Sequence, residues 1–459
     1  MNFLTFFLSL YSVSAANKLR SIDARLGKCH GIEIRELTIN QAHKYFKSGS
    51  LTPEKLTECY LNRIKKMNPF LNAVIEVNPD ALKITKTLPE ELKTQPLYGI
   101  PILVKDNIAT KDKMNTTAGN PALLSAIPND DAEVVQRLRS AGAIILGKAN
   151  LSEMSGFLGS GVKAGFSTRG GQTKNPYLES GEVAGSSSGS AVAVSANLAI
   201  AALGTETSGS LNSPARLNSI FTLKSTYGLV SSKGVIPIAS SLDTVGAMTR
   251  SADDLKIIAG VLTGKLTRSK CSFRNSNKLK VGIINIPKEK SNPTFDKFKS
   301  SLENSMSIIP SDVFSLNDLD YIGADIDATR LAEFPSALNS YIKNTKNTKI
   351  TVKYLIDQKK GGPISSYDKL NDVLSSLSCN NTHDIQKSQA LARKAIDDLL
   401  EKNKFDALLL PGDLYVFGIV YSVIARYPSM TIPLGLDYKG FPSADRITGI
   451  RHKPKFIGY

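Results

Sequence analysis

Apolar positions along the chain switch between a spacing near 3.6 and short unbroken runs, the pattern of helices laid over buried strands. Residues 38–46 and 52–67 read as two helices separated by the turn Ser48-Gly49-Ser50. Thr52-Pro53-Glu54 opens the second, with proline in the first turn where its missing N–H costs nothing. Runs 72–77 and 100–105 are expected as buried strands. In 131–142, Ala132, Val134, Val135, Leu138 and Ala141 recur at helical spacing, and the apolar run 143–147 follows directly. This alternation predicts an α/β chain with a mixed or parallel sheet covered by helices.

The same reading continues downstream. Residues 190–198 form a small-residue helix, 199–204 a central strand and 251–262 an amphipathic helix. The polar, basic stretch 263–278 reads as a connector before a strand at 279–284. Helices are expected at 328–342 and 383–402, the first broken or kinked at Pro335. Strands are expected at 406–410 and 429–434, and no repeat of 20–50 residues is visible.

Two loops stand out against this frame. Ala184-Gly185-Ser186-Ser187-Ser188-Gly189-Ser190 and Gly204-Thr205-Glu206-Thr207-Ser208-Gly209-Ser210 bracket the helix–strand unit, which predicts that Ser186 and Ser210 approach each other. Serine hydroxyls and bare glycine amides are what acyl transfer requires. Upstream, the apolar run Gly99-Ile100-Pro101-Ile102-Leu103-Val104 ends on Lys105. A lysine there is a base only if it loses its charge, and an apolar wall favours that loss. Taken singly, a lysine at a strand end is a solvated charge and a serine in a glycine loop is a turn residue.

Composition narrows the chemistry. The 459 residues include 41% apolar positions, enough for a substantial core, and carry a formal charge of +16. The excess is scattered lysine without an arginine run or arginine–aromatic interleaving, which argues for a solvated basic surface and against a nucleic-acid partner. Cys29, Cys59, Cys271 and Cys379 form no Cys-x-x-Cys pair, and His30, His43, His383 and His452 are far apart. That spacing speaks against a zinc centre, and no histidine lies in the serine-rich region. Residues 1–16 form a short apolar run closed by small residues, with Val13 and Ala15 suited to a signal-cleavage site but no Lys or Arg ahead of the run. A secreted protein is therefore expected, with a mitochondrial or cytoplasmic one as the alternative. Asn115-Thr116-Thr117, Asn380-Asn381-Thr382 and Asn150-Leu151-Ser152 match the glycosylation sequon, the last at the start of an expected buried helix.

Lys105-Asp106-Asn107 and the two serine loops, with the flanks Pro214-Ala215, Leu223-Lys224-Ser225-Thr226-Tyr227-Gly228 and Asp243-Thr244-Val245-Gly246, resemble the amidase signature family. The resemblance is dense over 37–264 and weaker to the end of the chain, so that 17–459 reads as one domain of this type, and it implies an α/β core of one large mixed β-sheet with helices on both faces. It implies a Ser–cis-Ser–Lys triad, with Ser210 as nucleophile, Ser186 as relay after a cis peptide bond and Lys105 as base. It implies an oxyanion hole at Thr207, Ser208 and Gly209, with Ser187 and Glu206 supporting the triad. It implies hydrolysis of a small-molecule or peptide amide through an acyl-serine, with no metal and no organic cofactor. Arg169-Gly170-Gly171-Gln172-Thr173-Lys174-Asn175-Pro176-Tyr177 is similar to the peptide amidase branch. Two other readings stay open: the glutaminase A subunit of a tRNA amidotransferase, whose motif usually has arginine where this chain has Asn212, and an inactive secreted binding protein of the same fold. Several positions depart from the family pattern. Ser208 stands where many relatives carry Gly or Asp, Ser225 where they carry Pro, and relatives continue past Tyr459 through a further helix or two.

Overall fold

The computed structural model describes residues 26–264 except 158, 160 and 179, then 319–358, 385–410 and 415–434, with Asp23, 300, 372–373 and the strands at 280–284, 307–311 and 447–451. The expected signal segment 1–16, the connector 265–278 and the sequon at 380–382 lie outside the described residues.

Helices α1 (Ile39–Ser48) and α2 (Pro53–Leu71) form where expected. Thr38 and Gln41 cap the first reciprocally, and Thr52 accepts from Lys55 N at the second. Strand β1 (Val74–Val77) is followed by β2 (Pro101–Lys105), α3 (Glu133–Ser140) and β3 (Ile144–Ala149). Helix α4 (Ser188–Ser195), β4 (Ala201–Glu206), α5 (Asn212–Leu217), β5 (Phe221–Lys224), β6 (Thr244–Thr249) and α6 (Ala252–Thr263) complete the N-terminal half. Strands β7 (Lys280–Ile284) and β8 (Ser307–Ser311) precede the long helix α7 (Leu319–Ile342) and α8 (Gln386–Asn403). Then come β9 (Ala407–Leu410), α9 (Tyr415–Ile424), β10 (Ser429–Ile432) and β11 (Ile447–Arg451).

Eleven strands join one sheet in the order β8-β7-β9-β11-β10-β5-β6-β4-β2-β3-β1. It is mixed: β2 runs parallel to β3 and β4, whereas β6 is antiparallel to both β4 and β5. Every residue of β2, β3, β4 and β6 is buried, so both faces of the sheet centre are covered, as a strand between helical layers demands. The expected α/β class and single mixed sheet therefore hold.

Three expectations need correction. Pro335 does not end its helix, because Phe334 and Leu338 are fully buried and Phe334 packs on Phe157 with ring centroids 4.9 Å apart. Tertiary packing there outweighs one lost main-chain hydrogen bond. Asn150 to Ser152 form a buried loop that leads only into a short 3-10 turn at Glu153–Gly156, and Asn150 commits its amide to Asn72 O, Gly171 O and Thr173 Oγ1. Strands β5 and β6 were read only as motif flanks, because their Thr, Gly and Lys hide the apolar signal. A disulfide joins Cys29 to Cys59 on α2, a pairing that spacing alone does not reveal.

Candidate active site

Because β2 and β4 are parallel neighbours, with Val104 opposite Leu203, their carboxyl ends reach the same edge of the sheet. Lys105 closes β2 and Glu206 closes β4, and the chain beyond β4 turns into the loop carrying Ser210. Ser186 precedes α4, which packs on the same strands, and the Gly185–Ser186 peptide bond is cis. Small residues allow this approach: a Cβ on Gly204 would stand 2.7 Å from Ser187 Oγ. Gly209 lies in the left-handed region at φ 87, where side chains are strained.

Lys105 is buried and its Nζ lies 2.7 Å from Ser186 Oγ, 2.9 Å from Thr205 Oγ1 and 3.4 Å from Thr205 O. Burial pushes its pKa down to about 7, against the opposing pull of Asp243 and Glu206. Ser187 ties the two loops together. Its N–H donates to Ser210 O at 3.2 Å and its Oγ donates to Thr205 O at 3.0 Å. Glu206 is buried, not a surface carboxylate, and accepts from Leu211 N at 2.7 Å and Asn212 N at 3.0 Å. Thr207 Oγ1 donates to Asp243 at 2.5 Å, and burial raises that acid to about 6. The Ser210 hydroxyl is half-buried and, among the described residues, hydrogen-bonds to no neighbour. Among the same residues the main-chain N–H groups of Thr207, Ser208 and Gly209 donate to no protein acceptor.

The structure thus brings Lys105, Ser186, Ser187, Thr205, Glu206 and the 207–210 loop together. Sequence reasoning missed two contributors. Arg330 arrives from α7 and donates through Nη2 to Ser208 Oγ. In the sequence Asp243 reads as a motif flank, and the structure makes it the carboxylate that receives Thr207. The order of the motif held the signal for Asp243; nothing in the sequence pointed to Arg330. A cavity of about 790 Å³ borders Asp243 on the side of Ser232 and Tyr341, and none of Lys105, Ser186 and Ser210 lines it. His43 is bonded to Tyr98 O, and His30 sits beside the disulfide; neither meets the serines, while His383 and His452 lie outside the described residues.

The protein-family model for amidases matches residues 55–449. The chain belongs to the amidase family. A protein of Arabidopsis thaliana described as a probable amidase is 34% identical, over 98% of this chain and 92% of its own length. The A subunit of glutamyl-tRNA(Gln) amidotransferase from Thermoanaerobacter pseudethanolicus is 38% identical over 53% of this chain and 49% of that subunit. Among solved structures, the peptide amidase of Stenotrophomonas maltophilia superposes with a TM-score of 0.80 at 31% identity, covering 90% of this chain and 93% of that one. As an amidase the chain is a hydrolase acting on amides, and the resemblance read from its motifs is the correct one.

This amidase also buries Lys148 and Lys224, which donate to Ile108 O and Tyr427 O, each at 2.6 Å. Burial lowers Lys105 to about 7 and the other two to about 8, from 10.5. The unfolded chain holds these protons up to its ordinary lysine value while the folded chain has released them, so unfolding takes up protons in this window. Stability contributed by these sites therefore rises with pH above about 7 and declines as pH falls towards it. The urea midpoint is expected to increase between about pH 7 and pH 9, and Lys224→Met to shrink that increase. A midpoint that falls over this range contradicts the burial of neutral lysines.

Proposed function

We propose that this amidase cleaves carboxamides to acid and ammonia through an acyl-Ser210 ester, with Ser186 as relay and Lys105 as base. The observation carrying the reading is the environment of the Lys105 amine. A neutral amine has two protons and one lone pair. Thr205 O and Thr205 Oγ1 accept the two protons, at 3.4 Å and 2.9 Å, which leaves the lone pair for the Ser186 hydroxyl at 2.7 Å. Ser186 gives its proton to Lys105 as it takes the proton of Ser210, whose oxygen attacks the amide carbon. That attack requires the Ser210 hydroxyl to close on Ser186 when substrate binds, a tightening common between free and occupied sites. The free N–H groups at 207–209 receive the oxyanion. The same relay returns the proton to nitrogen, the C–N bond breaks and ammonia leaves. Water then attacks the ester, its proton passes through the relay to Ser210 Oγ as the ester C–O bond breaks, and the acid departs with Ser210 restored.

Likeness to the Stenotrophomonas maltophilia enzyme favours peptide C-terminal amides or simple amides as substrates. The glutaminase-subunit reading is disfavoured by Asn212. Its amide is committed to Glu206 and to Ser429 Oγ at 3.1 Å, and its Oδ1 accepts from Thr431 at 3.0 Å. A buried amide engaged on all sides does not recognise a substrate carboxylate as an arginine does. The Cys29–Cys59 disulfide supports passage through an oxidising compartment, in line with the expected secretory route. We infer that 17–459 acts as one catalytic domain.

Ammonia release from a panel of peptide amides, simple amides and free glutamine tests the reading, with N-terminal sequencing of the same secreted preparation. Expected are turnover of peptide or simple amides without any partner subunit, and a mature chain lacking the apolar segment. Turnover of glutamine alone, or an intact Met1, would overturn the corresponding part.

A further inference from the structure

The loop that carries Ser210 is gripped at two adjacent side chains by groups of opposite charge from two different elements. Thr207 donates to Asp243, immediately before β6. Ser208 Oγ accepts from Arg330 Nη2, supplied by α7 more than a hundred residues away. Glu206 fixes the far side of the loop by accepting from the N–H groups of Leu211 and Asn212. Between those anchors lie the N–H groups of Thr207, Ser208 and Gly209, which face no protein acceptor among the described residues, with Gly209 at φ 87 and without a side chain to hold it.

Arg330 is an unusual residue for this wall. Its guanidinium is largely buried, and burial holds its pKa below the ordinary guanidinium range. Nη1 donates to Asp327, one turn earlier, at 2.8 Å. Nε is buried and has no partner among the described residues. A buried donor left unpaired is costly, and an apolar side chain would fill the same space without that cost. What the arginine adds is its contact with Ser208 and its charge beside Asp243, which helps to keep that carboxylate ionised towards Thr207. Ser208 itself departs from the Gly or Asp of many relatives, and its hydroxyl is the atom that makes the contact available.

We propose that Arg330 is a positioning residue for amide hydrolysis: acting through Ser208, it holds the 207–209 segment so that its main-chain N–H groups converge on the oxyanion. The assignment rests on the reading of Ser210 as nucleophile. Its effect falls on the transition state, where charge develops on the carbonyl oxygen, and not on ground-state binding.

Four variants test it: Arg330→Gln, Arg330→Lys, Ser208→Ala and the Arg330→Gln/Ser208→Ala pair, assayed on the amide the wild type turns over best. Arg330→Gln and Ser208→Ala are each expected to lower kcat about tenfold or more while KM stays within about twofold. The pair is expected to be no worse than Arg330→Gln alone, because both changes break one contact. Arg330→Lys keeps a donor and a charge and should recover part of the loss. Unchanged kcat in folded variants, a change confined to KM, or losses that multiply would each overturn the proposal. Should Arg330→Gln fail to fold, Ser208→Ala removes one oxygen only and decides the matter by its kcat. Labelling of wild-type Ser210 by a fluorophosphonate separates the two readings. No labelling and no turnover sink the nucleophile assignment, whereas an active, labelled wild type with indifferent variants sinks only the role of Arg330.

Discussion

Ser210→Ala will abolish amide hydrolysis at every pH, with a fall in kcat of at least about 10⁴-fold. The covalent step needs an oxygen at this position, and no neighbouring hydroxyl stands in. Ser186 is buried against Lys105 and lies beneath the loop, not on it. Folding should be indifferent to the change, because the Ser210 hydroxyl is half-buried and makes no hydrogen bond among the described residues. Its main-chain carbonyl, which accepts from Ser187 N, is untouched by the substitution. An unfolding midpoint within about 0.5 kcal/mol of wild type is therefore expected. Ammonia release and fluorophosphonate labelling read the result. A Ser210→Ala enzyme that is still labelled, or still releases ammonia well above background, would remove this serine from the chemistry.

The second large effect is on pH dependence. As the proposed base Lys105 must be neutral, and burial, outweighing the charges of Asp243 and Glu206, brings its pKa down to about 7. The sign follows directly. Below about 7 the amine is protonated in the folded enzyme, so kcat/KM should fall about tenfold for each pH unit towards acid and level off above about 7. Lys105→Met removes the base while keeping an unbranched side chain in the buried space. It should lose about 10³-fold or more at pH 8 and show no acid limb of its own. The ratio of wild type to variant must shrink as pH falls, since the wild type loses its base there as well. Activity that stays flat down to about pH 4, or a Lys105→Met enzyme with an unaltered profile, would show that another group takes the proton.

Much of this site was legible before any coordinates. Lys105, Ser186 and Ser210 sit in ordered motifs whose glycines and serines are dictated by close approach, and such constraints leave a mark on residue type. The parallel pair β2 and β4 was legible for a related reason, since each opens on an unbroken apolar run, Pro101 to Val104 and Ala201 to Leu203. Strands β5 and β6 were not, because threonine, glycine and a buried lysine interrupt their apolar pattern. Lys224 shows the difficulty: it is fully enclosed only because Tyr427 O receives its amine, a contact made across the fold. Arg330 was out of reach for the same reason. A lone arginine on a helix reads as solvated, and only the packing of α7 against the loop carrying Ser208 and Ser210 turns it inward. The run of α7 through Pro335 belongs here too, decided by Phe334 and Phe157 rather than by local preference.

The Asn212 amide spans Glu206 on one strand and Ser429 on another drawn from the distant part of the chain. Lys105, Ser186 and Ser210 all lie between residues 105 and 210, yet the segment behind Ser210 is braced in part by Ser429 and Thr431. Part of the support for the Ser210 loop therefore comes from a segment more than two hundred residues further along the chain. Substitutions around Ser429 can thus alter turnover without touching Lys105, Ser186 or Ser210, and a chain shortened to end before Ser429 would hold the proposed triad without this brace.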